Sequence, residues 1–240
     1  MNNFNFEPYN DGEWNEKEDF SWKESDWKKY LEKIEIETSH FLAFYKEFKE
    51  TCNRLDTIAI RMGWDLDDYS SDEKEETTDV DAYTAYKENE SLSYPEDEIE
   101  DVEPDTIYRH PIFIITRALY QDLSHIWERF LNQNGVLLSP ALVWQFARSL
   151  SSGETNAILA IQALDMEDYA LTLYHLKHAL SALNTSLSSL QNIQCQDPQF
   201  TQKLNSFQTE AQVRIFDLRE LWLRAMNRCR EEIHNRSKRG

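Results

Sequence analysis

One apolar ladder with steps of three and four residues constrains this chain more than any other feature. Its eleven positions are Trp27, Leu31, Ile34, Thr38, Phe41, Tyr45, Phe48, Cys52, Leu55, Ala59 and Met62. Because this spacing places side chains on one side of an α-helix, the ladder predicts one long helix over residues 27–63, ended by Gly63. The steps average 3.5 residues, which is typical of coiled-coil-like packing and requires an apolar partner helix. We expect Phe41 and Phe48 to lie deep in that core.

Further helical patterns follow after residue 105. Pro111 and Gly135 mark the start and the end of an apolar helix, and Ser139-Pro140 is a typical start for the next one. The Ser151-Ser152-Gly153 sequence predicts a break, followed by a short helix over residues 155–164. The next helix carries a ladder at Met166, Tyr169, Leu173, Leu176, Leu180, Leu183, Leu187 and Leu190. The last helix starts at Asp197-Pro198, with a ladder at Phe200, Leu204, Phe207, Ala211, Ile215, Leu218, Trp222, Ala225 and Cys229.

These patterns predict an all-α fold, a bundle of four to five major amphipathic helices with an acidic crossover. Only five Gly and six Pro occur in 240 residues, which argues against folds with many tight turns. We divide the chain into an aromatic-rich N-terminal arm (1–26), the first bundle helix (27–63), an acidic linker (64–105) and the rest of the bundle (106–236).

Charge is distributed very unevenly along the chain. Residues 65–105 hold 18 Asp and Glu against two Lys, which gives −16 of the total net charge of −19. Residues 214–240 carry eight Arg and Lys against four acids, or +4. This asymmetry permits an electrostatic contact between the acidic segment and the C-terminal helix.

The amino terminus has neither a basic start nor an apolar run, and no segment reaches the ~18 apolar residues of a membrane span. We therefore expect a cytoplasmic protein that makes no membrane contact. Cys52, Cys195 and Cys229 include no CxxC pair, and two of them lie on apolar stripes. Buried thiols are expected rather than a disulfide or a zinc site.

Three acid and histidine pairs have the spacing that di-metal carboxylate bundles use: Glu37 with His40, Asp122 with His125, and Glu231 with His234. At about 100° per residue, these histidines lie ~110° or more from the centres of the apolar stripes. The same holds for His175 and His178. They are predicted to point away from the core, so we expect no metal or other cofactor, and a metalloenzyme is kept as an alternative.

Arg228 and His234, separated by five residues, resemble the arginine and histidine motif of HEPN-type ribonucleases, which are also helical bundles. The resemblance covers seven residues and implies an RNA-cleaving enzyme. Cys229 stands where the family usually has a polar residue, and the net charge of −19 opposes approach of RNA. A HEPN-like nuclease is therefore an alternative, and no nucleic acid is expected as a partner.

An uncharged stretch runs from His178 to Gln196, and its outward side carries Ser181, Asn184, Thr185, Ser188, Gln191 and Asn192. Small uncharged side chains let another surface approach without desolvating an ion. The pattern favours a face covered by the aromatic arm or by another subunit, which permits a homo-oligomer. A simply exposed face is the alternative.

The sequence contains no Gly-rich phosphate loop, GxSxG or HExxH motif. We predict a non-catalytic interaction or scaffold protein whose acidic segment attracts a basic protein partner. In this hypothesis the local contacts come from Tyr69, Tyr83, Tyr86 and Tyr94, with Ser181, Asn184 and Ser188 on the uncharged face. A solvated linker is the alternative interpretation of the acidic segment.

Overall fold

The computed structural model describes residues 22–64, 106–193 and 197–239, and every regular element in those ranges is helical. The six α-helices there are α1 (Glu24–Glu47), α2 (Arg54–Met62), α3 (Pro111–Asn134), α4 (Pro140–Asp165), α5 (Tyr169–Gln191) and α6 (Pro198–Arg239). Short 3-10 turns, Ile107–Arg109 and Gly135–Leu137, flank α3. The predicted all-α class is confirmed. None of the described helices is both long enough and apolar enough to cross a membrane.

The first predicted helix is interrupted, so the prediction of one helix over 27–63 is wrong. α1 ends at Glu47 and α2 begins at Arg54, after a turn that contains Cys52 and Asn53. Thr, Cys and Asn are weak helix formers, and Arg54 Nη1 donates to the Lys49 carbonyl over 2.6 Å. The spacing pattern did not reveal this turn because the steps of three and four residues continue through it in the sequence.

The middle of the ladder is buried as predicted, and Phe41 is fully enclosed. Its first two positions depart from the prediction: Trp27 and Leu31 are 37% and 42% exposed. At the turn, Cys52 is exposed and Phe48 is only half-buried, since no helix continues there to cover them. The predicted burial of those two side chains is therefore wrong.

Gly63 ends α2, which confirms the predicted glycine cap. Its backbone is left-handed, with φ 71°, and the Trp64 N–H donates to the Ala59 carbonyl over 2.8 Å. The ring of Trp64 then stacks on that of Phe41, with centroids 6.2 Å apart. The chain thus returns alongside α1 before it enters the acidic segment, which lies outside the described residues, as residues 1–21 do.

α3 is the central helix of the described chain, and its predicted bounds are confirmed. It packs against α1, α4 and α6. Pro111 occupies the first turn, where its missing N–H costs no hydrogen bond. All six positions of its predicted main stripe are buried: Ile112, Ile115, Leu119, Leu123, Ile126 and Phe130.

α4 starts at the predicted Ser139-Pro140 but runs without a break to Asp165. The predicted break at Ser151-Ser152-Gly153 and the separate short helix are therefore wrong. Gly153 is buried, and a Cβ added there would collide with the hydroxyl oxygen of Tyr120 on α3. Glycine at this position makes room for a neighbouring helix rather than ending its own.

The two remaining ladders differ in how closely they match burial. All nine ladder positions of α6 are buried. In α5 the buried side is rotated toward Thr172, Ala179, Ser186 and Ser189, because small side chains face α4. Met166, the first position of that ladder, precedes α5 and is exposed.

Large aromatic side chains fill the space between α3, α4 and α6. We name Trp127, Phe130, Phe146, Phe200 and Phe207 the aromatic core. Phe130 stacks on Phe207 with centroids 4.6 Å apart, and Trp127 meets Phe146 at 4.5 Å. These side chains are at most 6% exposed, so each removes a large apolar area from water.

Candidate functional site

α4 and α5 form an antiparallel pair with the most extensive helix contact in the described chain. Small side chains line their contact, and we name them the small-residue seam: Ser149, Gly153, Ala157, Ala179, Ala182 and Ser186. The hydroxyl groups of Ser149 and Ser186 are 2.7 Å apart, and a Cβ at Gly153 would lie 3.5 Å from that of Ala182. The two backbones therefore approach closely and present one continuous outer surface.

That outer surface, the α4–α5 face, is the candidate functional site. Its residues are exposed and project from both helices: Ala141, Trp144, Gln145, Arg148, Ser151, Ser152, Thr155 and Leu159 from α4, with Leu171, Tyr174, Lys177, His178, Ser181, Asn184, Thr185 and Ser188 from α5. None of these sixteen is Asp or Glu, and only Arg148 and Lys177 carry a formal charge. In a chain with net charge −19, such a surface is unusual.

A groove of about 300 Å³ runs between the two helices along this face. Arg148 and His178 line it together with hydroxyl and amide groups from Gln145, Ser152 and Ser181. Next to the groove, Asn156 meets the His175 ring at 3.2 Å, and the rings of Tyr174 and His178 contact at 4.5 Å. The groove can therefore donate and accept hydrogen bonds along most of its length.

Two aromatic side chains of the α4–α5 face are open to solvent: Trp144 is 75% exposed and Tyr174 is 57% exposed. Trp, Tyr and Arg are the residues most enriched at the energetic centres of protein interfaces. Burial of either ring would remove a large apolar area from water while its polar atom could still find a partner. The face therefore combines aromatic anchors with small polar groups.

The structure brings together only part of the predicted site. Ser181, Asn184 and Ser188 lie on the α4–α5 face and are exposed, while Asn184 also accepts a hydrogen bond from Arg219 of α6. The contribution of α4, including Trp144 and Arg148, was missed because the sequence predicted a broken helix there. Tyr69, Tyr83, Tyr86 and Tyr94 lie outside the described residues.

The histidines that were considered for metal binding lie apart. His40, His125 and His234 are exposed, and Asp122 instead pairs with Arg214, whose Nε lies 2.6 Å from the carboxylate. Among the described residues, no three His, Cys, Asp or Glu side chains converge in a possible metal site. His234 is on the exposed end of α6, whereas Arg228 is half-buried near His110.

His110 caps the start of α3 with its side chain, which sequence patterns did not indicate. Its Nδ1 accepts the Ile112 N–H over 3.1 Å, so the ring must be unprotonated at that nitrogen. Burial, and secondarily the nearby Arg228, lower the pKa of His110 to about 4. The cap is therefore intact at neutral pH.

A buried polar cluster that the sequence did not predict joins α6 to α1 and α2. The Tyr45 hydroxyl donates to Asp217, and Arg54 Nε lies 3.0 Å from the same carboxylate. Burial raises the pKa of Asp217 despite these two partners. Arg224 pairs with Asp56 about two turns further along α6. These contacts position helices, and they lie away from the α4–α5 face.

In comparisons with known proteins, no family, no curated protein and no solved structure matches this chain. Its function has to be argued from its own surface.

Proposed function

We propose that this chain is a non-catalytic interaction protein, a helical-bundle scaffold that binds another protein through the α4–α5 face. The observation that supports this function is a face without acidic residues that combines a polar groove with two exposed aromatic side chains, Trp144 and Tyr174. Partners dock most readily on surfaces that lose few ion–water contacts. Here a partner would cover aromatic rings, hydroxyls and amides, and would have to accommodate only two cations.

The acidic crossover supplies a second contact in this proposal. Its charge of −16 in residues 65–105 would attract a basic protein partner over long range, and its tyrosines would add local contacts. Such attraction weakens with salt, because the Debye length falls from ~10 Å at 0.1 M to ~3 Å at 1 M. The crossover would attract a basic protein, and the α4–α5 face would be a separate contact surface that does not require the same partner.

The test is quantitative co-purification of tagged full-length protein from its native cell. The variant Ser181→Lys/Ser188→Lys adds two bulky charges to the face, and Ser39→Lys/Ala43→Lys adds the same charges to exposed positions of α1 as a matched control. We expect specific partners to be lost at least tenfold from the face variant and kept by the control. Identical partner sets for wild type and both variants would refute the proposal.

Deletion of residues 70–100 tests the acidic contact separately. We expect circular dichroism to show retained helices and the association rate of a captured partner to lose its salt dependence. If the association rate and its salt dependence stay at the wild-type values, the segment is a passive linker.

A further inference from the structure

We infer that the partner covering the α4–α5 face is a second copy of this chain, which forms a two-fold symmetric dimer. The inference rests on the proposed function and specifies its partner. Three properties of the face support it: its distribution of charge, its hydrogen-bonding chemistry and its size.

Charge favours this face over other surfaces for self-association. Two copies that each carry −19 repel one another, and the repulsion is greatest where acidic side chains would meet. The α4–α5 face has no Asp or Glu, and its two cations, Arg148 and Lys177, are separated along the helix pair. Contact here therefore keeps the carboxylates of the two copies apart.

Hydrogen-bonding chemistry makes the face complementary to itself. In a two-fold interface the same patch occurs on both sides, so each group must be able to pair with members of its own set. A carboxylate only accepts and an ammonium only donates, and neither pairs with its own kind. Hydroxyl and amide side chains do both, and the face contains eight of them: Gln145, Ser151, Ser152, Thr155, Ser181, Asn184, Thr185 and Ser188.

The size of the face agrees with that of a stable dimer contact. α5 has 23 residues, which is ~35 Å at 1.5 Å per residue, and two adjacent helices are ~20 Å wide. The face thus offers roughly 700 Å² per copy, or about 1,400 Å² in total, and specific interfaces bury about 1,200–2,000 Å². Trp144 and Tyr174 would be the aromatic anchors.

Sedimentation of the full-length chain over roughly 1–200 μM tests the inference. We expect a reversible dimer whose dissociation constant rises at least tenfold in Ser181→Lys/Ser188→Lys and in Ser181→Asp/Ser188→Asp. Mixing the two variants should restore dimers, because opposite charges then meet across the interface. The α1 control Ser39→Lys/Ala43→Lys should dimerise like the wild type.

Oxidative footprinting of the wild type gives a readout that needs no variant to fold. We expect labelling of Trp144 and Tyr174 to fall severalfold as concentration rises through the dissociation constant, while the exposed Trp27 changes little. A wild type that stays monomeric, a dimer indifferent to both face variants, or equal loss in the control would each overturn the inference. If face-dependent partners still co-purified with a monomeric wild type, the proposed function would stand and only the second copy would be excluded.

Discussion

The aromatic core and the small-residue seam bury helices in opposite ways. In the aromatic core, Trp127, Phe130 and Phe207 fill a wide space between α3 and α6, and rings meet at 4.5 to 6.3 Å. In the seam, serine, glycine and alanine let α4 and α5 approach closely, so that a Cβ at Gly153 would lie 3.5 Å from that of Ala182, and the Tyr120 hydroxyl of α3 fills the remaining space above Gly153. Large side chains contribute stability through the area they bury, whereas small ones allow close approach and leave the outer surface continuous.

The comparison predicts the largest loss of stability in the aromatic core. Phe146 is fully buried between Trp127 and Phe207. Its replacement by Ala should lower the free energy of unfolding by ~3–5 kcal/mol, through lost transfer energy and the cavity left behind. Phe146→Leu should cost less than about half as much. Urea denaturation of both variants measures this, and a loss below ~1 kcal/mol for Ala would mean that the cluster repacks.

The start of α3, at the opposite end of that helix from Phe130, gives a pH-dependent test of stability. The pKa of His110 in the folded protein is about 4 instead of 6.5, so the folded state favours the unprotonated ring that accepts the capping hydrogen bond. Protonation of the ring therefore lowers the stability of the fold. The stabilisation is complete above pH ~6.5 and declines as the pH falls toward ~4, by at most ~3 kcal/mol.

His110→Asn is the control for that titration, since Asn keeps a capping oxygen but does not titrate in this range. Denaturation series at pH 7, 6, 5 and 4.5 should show a steeper loss for wild type than for the variant. Parallel curves would show that the carboxylates, which both proteins share, account for the whole effect.

We expect the small-residue seam to be destabilised by added side-chain volume, whereas the aromatic core is destabilised by lost volume. Gly153→Ala should lower stability by ~1–3 kcal/mol because Tyr120 must shift, even though Ala favours a helix by up to ~1 kcal/mol over Gly. The Tyr120 hydroxyl has no hydrogen-bond partner among the described residues, so Tyr120→Phe removes the obstacle at little cost.

A double-mutant cycle separates these effects. In the Tyr120→Phe background, an Ala at position 153 would meet the ring carbon at 3.4 Å, an ordinary contact, and should be tolerated. Equal destabilisation by Gly153→Ala in both backgrounds would show that the Tyr120 hydroxyl does not obstruct a side chain at position 153. The small-residue seam would then not be limited by added volume.

The smallest effect is expected at the serine pair of the seam. Ser149→Ala removes the contact of 2.7 Å with Ser186 and should cost ~0.5–1.5 kcal/mol. Ser186 still donates to the Ala182 carbonyl at 3.2 Å, so no polar group is orphaned. The double variant Ser149→Ala/Ser186→Ala should be nearly as stable as the single variant. Thermal denaturation measures both. A loss above ~3 kcal/mol would show that the pair does more than join two helices.

The two regions also differ in how well sequence predicts them. Ladders of large apolar residues report the buried side directly, so the bounds of α3 and the buried stripe of α6 were predicted correctly. A seam of small residues has a weak apolar signal, and its Ser and Gly are the residues that also occur in turns. The sequence therefore predicted a break at Gly153 where the structure has a continuous helix.

The two halves of the candidate site also differ in how well the sequence predicts them. In the α5 half of the face, Ser181, Asn184, Thr185 and Ser188 were expected on one outward side because a run without charged residues is visible in the sequence. Leu171, Tyr174 and Lys177 precede that run and were missed. The α4 half depends on the pairing of the two helices in space, which places Arg148 and Ser181 on the same groove. The Tyr45, Arg54 and Asp217 cluster was missed for a similar reason: Tyr45 and Asp217 are separated by 172 residues, and no local spacing links them.

Some contacts of α1 and α2 can form during synthesis only after the long α6 has been made. Tyr45 and Asp56 find their partners Asp217 and Arg224 only on α6, so the ribosome must add 168–172 further residues first. At 5–20 residues per second this takes roughly 10 to 35 s. Until α6 has been synthesised, the apolar side of α3 that packs against it remains uncovered, and surface exposed in this way makes an incomplete chain prone to aggregation.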